Sequence, residues 1–251
     1  MQIDLTGRTA VVTGASQGLG EEMAKALAAA GAKLALVARN AEKLEGVRKA
    51  IADRGGIAEV FVADVTREDE VARLPAAVSQ RLGAPQILIN NAGTNIRKNL
   101  VEFTLDEFRS VIDSSLISTF LVSRAFVPGM RGTGFGRILN LTSIMSHVSL
   151  PGRSAYSSAK TGLLGLTRAL ALELAGHGIT VNGISPGPIA TEMNTAIMND
   201  PEINAQFLSS LPIGRWGKVE EIGDLACYLC SESAGFLTGT DIVIDGGWTA
   251  R

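Results

Sequence analysis

Short apolar runs rich in Val, Ile and Leu alternate with longer stretches of helical period from one end of this chain to the other. The runs fall at 9–14, 33–38, 57–65, 86–91, 136–143, 179–185 and 241–246. The helical stretches fall at 18–30, 41–54, 67–82, 104–130, 154–176 and 219–231. Most runs are apolar on both faces, the pattern of strands covered by helices above and below. Strand and helix in alternation make βαβ units, so the pattern predicts an α/β fold: a doubly wound, seven-stranded parallel sheet with helices on both faces. No repeat, low-complexity tract or long linker interrupts the series, and residues 1–251 are expected to form one domain. The stretch from about 187 to 217 breaks the rhythm. Its mixed Pro, Gly, Asn and apolar residues predict two short helices forming a movable flap.

Composition narrows the partners more than the fold. The 251 residues are 46% hydrophobic and 19% charged, enough apolar material for a core and no sign of general disorder. A net charge of -2 and a pI of about 5.8 give no pull toward nucleic acid or anionic lipid, which leaves small molecules. The opening "MQIDLTGRTAVVTG" carries an acid at Asp4 and no apolar stretch long enough for a signal peptide or membrane span, so the cytoplasm is the expected compartment. The two cysteines, Cys227 and Cys230, form a CxxC, but no third Cys exists and both His lie far away in sequence. No metal site is expected. On a helix the pair shares a face with Ile222, Ala226 and Leu229, as buried core thiols in a reducing compartment would.

Two local patterns carry chemistry. "VVTGASQGLG" places Gly14, Gly18 and Gly20 directly after the first strand and at the start of a helix. Glycines there let the backbone turn tightly and approach a pyrophosphate at the positive end of the helix; the same residues also suit a plain strand-to-helix turn. The second run ends in "LVARN", with Ala38 and Arg39 and no acid. An acid at that point hydrogen-bonds the ribose hydroxyls of NAD, whereas an arginine pairs with a 2′-phosphate, so NADP is expected, with NAD as the alternative. No second basic residue supports Arg39 in sequence, and a solvated arginine reads the same way. Further on, "SAYSSAK" sets Tyr156 one helical turn from Lys160 with only small residues between. A phenol with an ordinary pKa near 10 needs a neighbouring cation to exchange protons at neutral pH.

TGxxxGxG at 13–20, "NNAG" at 90–93, Ser143, YxxxK at 156–160, "SPGPIAT" at 185–191 and "DGG" at 245–247 together resemble the short-chain dehydrogenase/reductase family along nearly the whole chain. The resemblance implies a Rossmann-type fold, hydride transfer between a nicotinamide and a carbonyl or alcohol, and a homotetramer. It implies that Tyr156 is the general acid in reduction and base in oxidation, with Lys160 lowering its pKa and holding the nicotinamide ribose. Ser143 would hydrogen-bond the substrate oxygen, and the adjacent Thr142 has a weaker claim. Gly14, Ser16, Gln17, Gly18, Leu19 and Gly20 would cradle the cofactor. Asp64 and Val65 would border the adenine, Asn91, Ala92 and Gly93 line the cofactor, and Pro186, Gly187, Ile189 and Thr191 meet the nicotinamide. One position departs: Ser115 in "VIDSSL" stands where the family usually has an asparagine that holds a water in a proton relay to the lysine. Either Ser115 serves the relay with a shorter side chain, or it only leaves space for a second water.

Three cations near the motifs, Arg97, His147 and Arg153, are candidates for holding a carboxylate or polyhydroxylated substrate, or else are simply solvated. The stretches around them are similar to those of sugar-acid reductases in the family, such as gluconate 5-dehydrogenases. A 3-oxoacyl thioester reductase is the rival enzyme, and would need a basic surface for its carrier. A non-catalytic cofactor sensor is the rival from another class, with Ser115 as its first mark. His177, before Gly178 at a helix end, suits the negative end of the helix dipole and is assigned no catalysis. The C-terminal "FLTGTDIVIDGGWTA" is apolar enough to be buried, and the family suggests a subunit contact there.

Overall fold

The seven apolar runs become seven strands: β1 Thr9–Thr13, β2 Lys33–Ala38, β3 Ile57–Val62, β4 Ile87–Asn90, β5 Gly136–Leu141, β6 Ile179–Pro186 and β7 Asp241–Ile244. The computed structural model describes residues 3–250, the side chains of Met193 and Ala196 excepted. Every ladder is parallel, and the strand order is β3-β2-β1-β4-β5-β6-β7. The chain starts mid-sheet, winds outward to β3, crosses back to β4 and winds the other way to β7. That reversal opens a crevice at the strands' C-terminal ends, between β1 and β4.

Alternation along the strands feeds two cores. Val12, Leu34, Leu36, Ile87 and Ile89 point to one face, where they meet α1 (Gly18–Ala29), α2 (Ala41–Ala52) and α10 (Val219–Cys230) through Met23, Leu27, Leu44, Ile222 and Leu229. Val11, Val37, Leu88, Ile138 and Val181 point to the other, where Val78, Phe126 and Leu174 cover them. Burying each such side chain contributes roughly 1.5–3 kcal/mol. Cys227 and Cys230 lie within the first core, and burial pushes the Cys227 thiol up to about 12, which makes it a poor nucleophile and a core residue.

Two of the long helical stretches are broken. The 67–82 stretch is two helices, α3 (Glu68–Val71) and α4 (Leu74–Leu82), because Pro75 sits in the first turn of the second, where its missing N–H costs nothing. The 104–130 stretch runs as α5 (Leu105–Ile112), a wide π turn (Asp113–Ile117) and α6 (Ser118–Met130). Hydroxyls bond the carbonyls there: Ser118 Oγ donates to the Ser114 carbonyl at 2.7 Å and Thr119 Oγ1 to that of Ser115 at 2.8 Å. Such back-bonding loosens the regular ladder, and single π turns gather at functional sites. Among the described residues, Leu105–Met130 is the one helical stretch long and apolar enough to cross a membrane, and half of it is buried inside this fold.

The long α7 (Ser154–Leu174) carries the Tyr–Lys pair. The irregular stretch after β6 holds three short helical pieces rather than two: a 3₁₀ turn (Glu192–Asn194), α8 (Thr195–Met198) and α9 (Pro201–Ser209). Asp200 caps α9, its carboxylate accepting from the N–H groups of Glu202 and Ile203. The Phe207 ring stacks on Trp216 at 5.2 Å and tilts against Trp248 at 5.3 Å, and Trp216 Nε1 donates to Asn204 Oδ1 at 2.8 Å. Within the single chain the C-terminal stretch is only partly covered: Phe236 is fully exposed and Val243 faces solvent, because β7 is the edge strand and nothing among the described residues lies over it.

Candidate active site

A cleft of about 1100 Å³ runs over the C-terminal ends of the strands. At its centre is the turn between β1 and α1, lined by Gly14, Ser16, Gln17, Gly18 and Leu19. Gly14 has φ 65°, and a Cβ on it would lie 2.8 Å from Asn91 Nδ2. That amide donates to the carbonyls of Thr13 (3.0 Å) and Gly14 (3.2 Å), tying β4 to the turn. Gly20 does not line the cleft. It is buried beneath the turn, where a Cβ would come within 2.2 Å of the Gly14 carbonyl oxygen, so its service is close helix-to-strand packing. Asn91, Ala92 and Gly93 form the opposite wall.

At one end of the cleft lie Arg39, Asp64 and Val65. The Arg39 side chain is 74% exposed, with its guanidinium 3.9 Å from the Asp64 carboxylate. Partial burial raises the Asp64 pKa, but hydrogen bonds from Thr66 and the charges of Arg39 and Arg67 outweigh it and hold the group below its ordinary value. A second cation, missed in the sequence, joins them. Lys43, in the first turn of α2, lines the cleft and donates to Gln17 Oε1 at 2.7 Å, so the glycine turn and α2 are clasped together there. Its spacing, four positions after Arg39, was the available signal.

At the other end lie Ser143, Tyr156 and Lys160, with Pro186, Gly187, Ile189 and Thr191 beside them. Ser143 caps the 3₁₀ turn Ile144–Ser146: its Oγ accepts from the Met145 N–H at 3.1 Å and is hydrogen-bonded to Tyr156. Burial pushes the Tyr156 phenol above its ordinary value of 10.0; the hydrogen bond from Ser143 and then the charges of Arg153 and Arg97 pull it back. Lys160 is not among the groups that shift the phenol here. The Lys160 ammonium is buried, donates to the Leu141 carbonyl, and lies 5.6 Å from the Tyr156 ring centre. Burial lowers its own pKa to about 8. Ser115 lies behind the cleft wall, on the π turn. Its buried Oγ has no hydrogen-bond partner among the described residues, and a Cβ on Gly93 would lie 3.0 Å from it and 3.8 Å from Lys160 Nζ.

The three substrate candidates separate. Arg97 and Arg153 lie outside the cleft lining, yet both charges act on the phenol, and neither has a carboxylate partner among the described residues. His147 already has a partner: its Nε2 is 2.6 Å from Asp241 Oδ2, while its side chain stays one-third exposed. Thr142 lines the cleft, but its hydroxyl is likewise committed to the Ile184 carbonyl (2.6 Å) and Asp241 (2.5 Å). No group of three or more metal-ligating side chains is clustered among the described residues.

A cleft at the switch point of a doubly wound parallel sheet, floored by a glycine turn, defines a nucleotide-binding α/β protein. A family model described as enoyl-(acyl carrier protein) reductase matches residues 14–249, which span both ends of that cleft. The chain belongs to the short-chain dehydrogenase/reductase family of oxidoreductases. It is 37% identical to gluconate 5-dehydrogenase of Gluconobacter oxydans over 245 residues, 98% of this chain and 96% of that one. It is 35% identical to a 3-oxoacyl-acyl-carrier-protein reductase of Pseudomonas aeruginosa over 98% of each. Among solved structures it is similar to a gluconate 5-dehydrogenase of Burkholderia cenocepacia in complex with NADP and tartrate, with TM-score 0.95, 33% identity and coverage of 100% and 98%.

Proposed function

We propose that this protein is an NADP(H)-dependent oxidoreductase that interconverts a carbonyl and a secondary alcohol, acting on a keto sugar acid or related polar ketone. The observation that carries the reaction is the meeting of Ser143, Tyr156 and Lys160 at one end of a cleft whose other end holds Arg39 and Lys43. The residues suit a 2′-phosphorylated dinucleotide: the glycine turn leaves room for a pyrophosphate, Ala38 offers no acid to repel the phosphate, and two cations stand ready to pair with it. A bound nicotinamide would exchange the hydride. Tyr156 gives the proton to the carbonyl oxygen or takes it from the alcohol, the Ser143 hydroxyl donates to that oxygen as charge develops, and the Lys160 ammonium stabilises the phenolate left behind and reaches the ribose hydroxyls. Ser115 Oγ, facing the same glycine as Lys160, passes protons onward through water.

The keto-acid reading rests on Arg97 and Arg153, two guanidinium groups beside the phenol without carboxylate partners among the described residues, and on the gluconate 5-dehydrogenase relatives, one of them holding tartrate. The stretch at 187–217 acts as the flap that excludes water from a single domain, and the cytoplasm is the working compartment. The 3-oxoacyl thioester reading is favoured by the 35% identical Pseudomonas relative. Oxidation of NADPH and NADH, followed against keto sugar acids, plain ketones and 3-oxoacyl thioesters, separates the two. NADPH-preferring turnover of the keto acids, lost by at least about 100-fold in Tyr156→Phe, is the expected result. Preference for thioesters overturns the substrate class. Tight nucleotide binding with no turnover of any carbonyl leaves a sensor instead of an enzyme.

A further inference from the structure

We infer that Asp241 is a positioning residue for this reaction: from the first position of β7 its carboxylate braces the turn that presents Ser143, and His147 closes the brace. The inference rests on the reading of Ser143 as the group that meets the substrate oxygen. Three donors converge on the one carboxylate. Thr142 Oγ1 donates to Oδ1 at 2.5 Å, while Ser185 Oγ and His147 Nε2 both lie 2.6 Å from Oδ2. Ser185 Oγ is also 3.0 Å from the Ser143 carbonyl oxygen and 2.9 Å from Thr142 Oγ1. Thr142 precedes Ser143 in the chain, and His147 follows the 3₁₀ turn that Ser143 caps. With the Ser185 proton given to the carboxylate, the serine is held on both sides, through Thr142 before it and His147 after the turn, by a single acid two strands away.

The backbone is shaped for this reach. In the β6–β7 register Gly183 stands opposite Asp241, and a Cβ there would lie 2.0 Å from Oδ1. Only a glycine leaves the path by which the carboxylate crosses β6 to the end of β5. The Asp241 side chain is 10% exposed and that of His147 34%, so the imidazole stands between the carboxylate and solvent. A carboxylate accepts and does not donate, which fixes His147 with its proton on Nε2. Charge-assisted hydrogen bonds in a low-dielectric setting are stiff, and a catalytic hydroxyl gains most from that stiffness.

The chain has only two histidines, His147 and His177, so long-range proton–nitrogen spectra of the imidazoles resolve each ring. The ring that disappears in His147→Gln is expected to show a protonated Nε2 with a downfield proton, and Asp241→Asn is expected to abolish that signature. In the same variants kcat falls about tenfold or more, the pH profile of kcat changes, and the nucleotide Kd holds within about twofold. Gly183→Ala, which keeps every charge and displaces the carboxylate, gives the same loss. A His147 ring with no proton on Nε2, or wild-type kcat and pH profile in Asp241→Asn, overturns the inference. Where Asp241→Asn does not fold, His147→Gln carries the test. A wild-type chain that reduces no carbonyl defeats the proposed activity instead, and the ring signature still decides whether the brace exists.

Discussion

Burying an ammonium without a carboxylate beside it is costly, and Lys160 is such a group: its pKa falls from 10.5 to about 8 through burial alone. Between those values the unfolded chain holds the proton that the folded chain releases, so stability rises with pH through that window. Below 8 the burial costs on the order of 3 kcal/mol. Lys160→Met is therefore expected to lose turnover yet unfold at a higher temperature than wild type near pH 7, with the gap closing as pH passes 10.5; thermal unfolding across pH checks this. Ser115→Ala is expected to change the pH dependence of turnover, and unchanged profiles would remove Ser115 from the relay. Tyr156 and Lys160 were legible in the sequence because one helical turn is a local relation. The partnership of Thr142 and Asp241 was not, because the two are 99 positions apart and meet only through strand order. The contact of His147 with Asp241 was hidden for the same reason: the two are far apart along the chain and folding brings them together.

At the scale of elements, α2 does more than cover the sheet. Its first turn delivers Lys43 beside Arg39, and Gln17 of the neighbouring turn fixes the lysine's reach. Lys43→Gln is expected to weaken NADPH about tenfold while leaving NADH unchanged, as titration of each nucleotide would show. The strands were legible in place and order, their starts almost to the residue, because runs apolar on both faces have few other homes; the runs at 57–65, 136–143 and 241–246 overshoot their strands by two or three residues. The helices were legible in place but not in continuity. Pro75 marks its own break, yet apolar periodicity runs straight through the Asp113–Ile117 turn, where serine and threonine hydroxyls rather than apolar spacing decide the geometry.

Across the whole molecule, large apolar side chains stand in solvent with nothing among the described residues to cover them. Leu105, Phe120 and Leu172 lie on α5, α6 and α7, and Phe236 stands beside the β7 edge. Leu172 is 85% exposed. Such exposure is what contacts between subunits would cover, as the proposed homotetramer requires. Light scattering is expected to give about four times the 26.3 kDa of one chain, and Leu172→Glu is expected to lower that mass without unfolding the subunit. The aromatic cluster of α9 has a different use. Trp216 and Trp248 are the only tryptophans in the chain, and both rest against Phe207 of α9. All indole emission from this protein thus originates at one spot where the segment proposed to close, which carries Phe207 and Trp216, meets Trp248. The native chain carries its own optical gauge of that segment, and a stopped-flow trace of its fluorescence can time closure without a label.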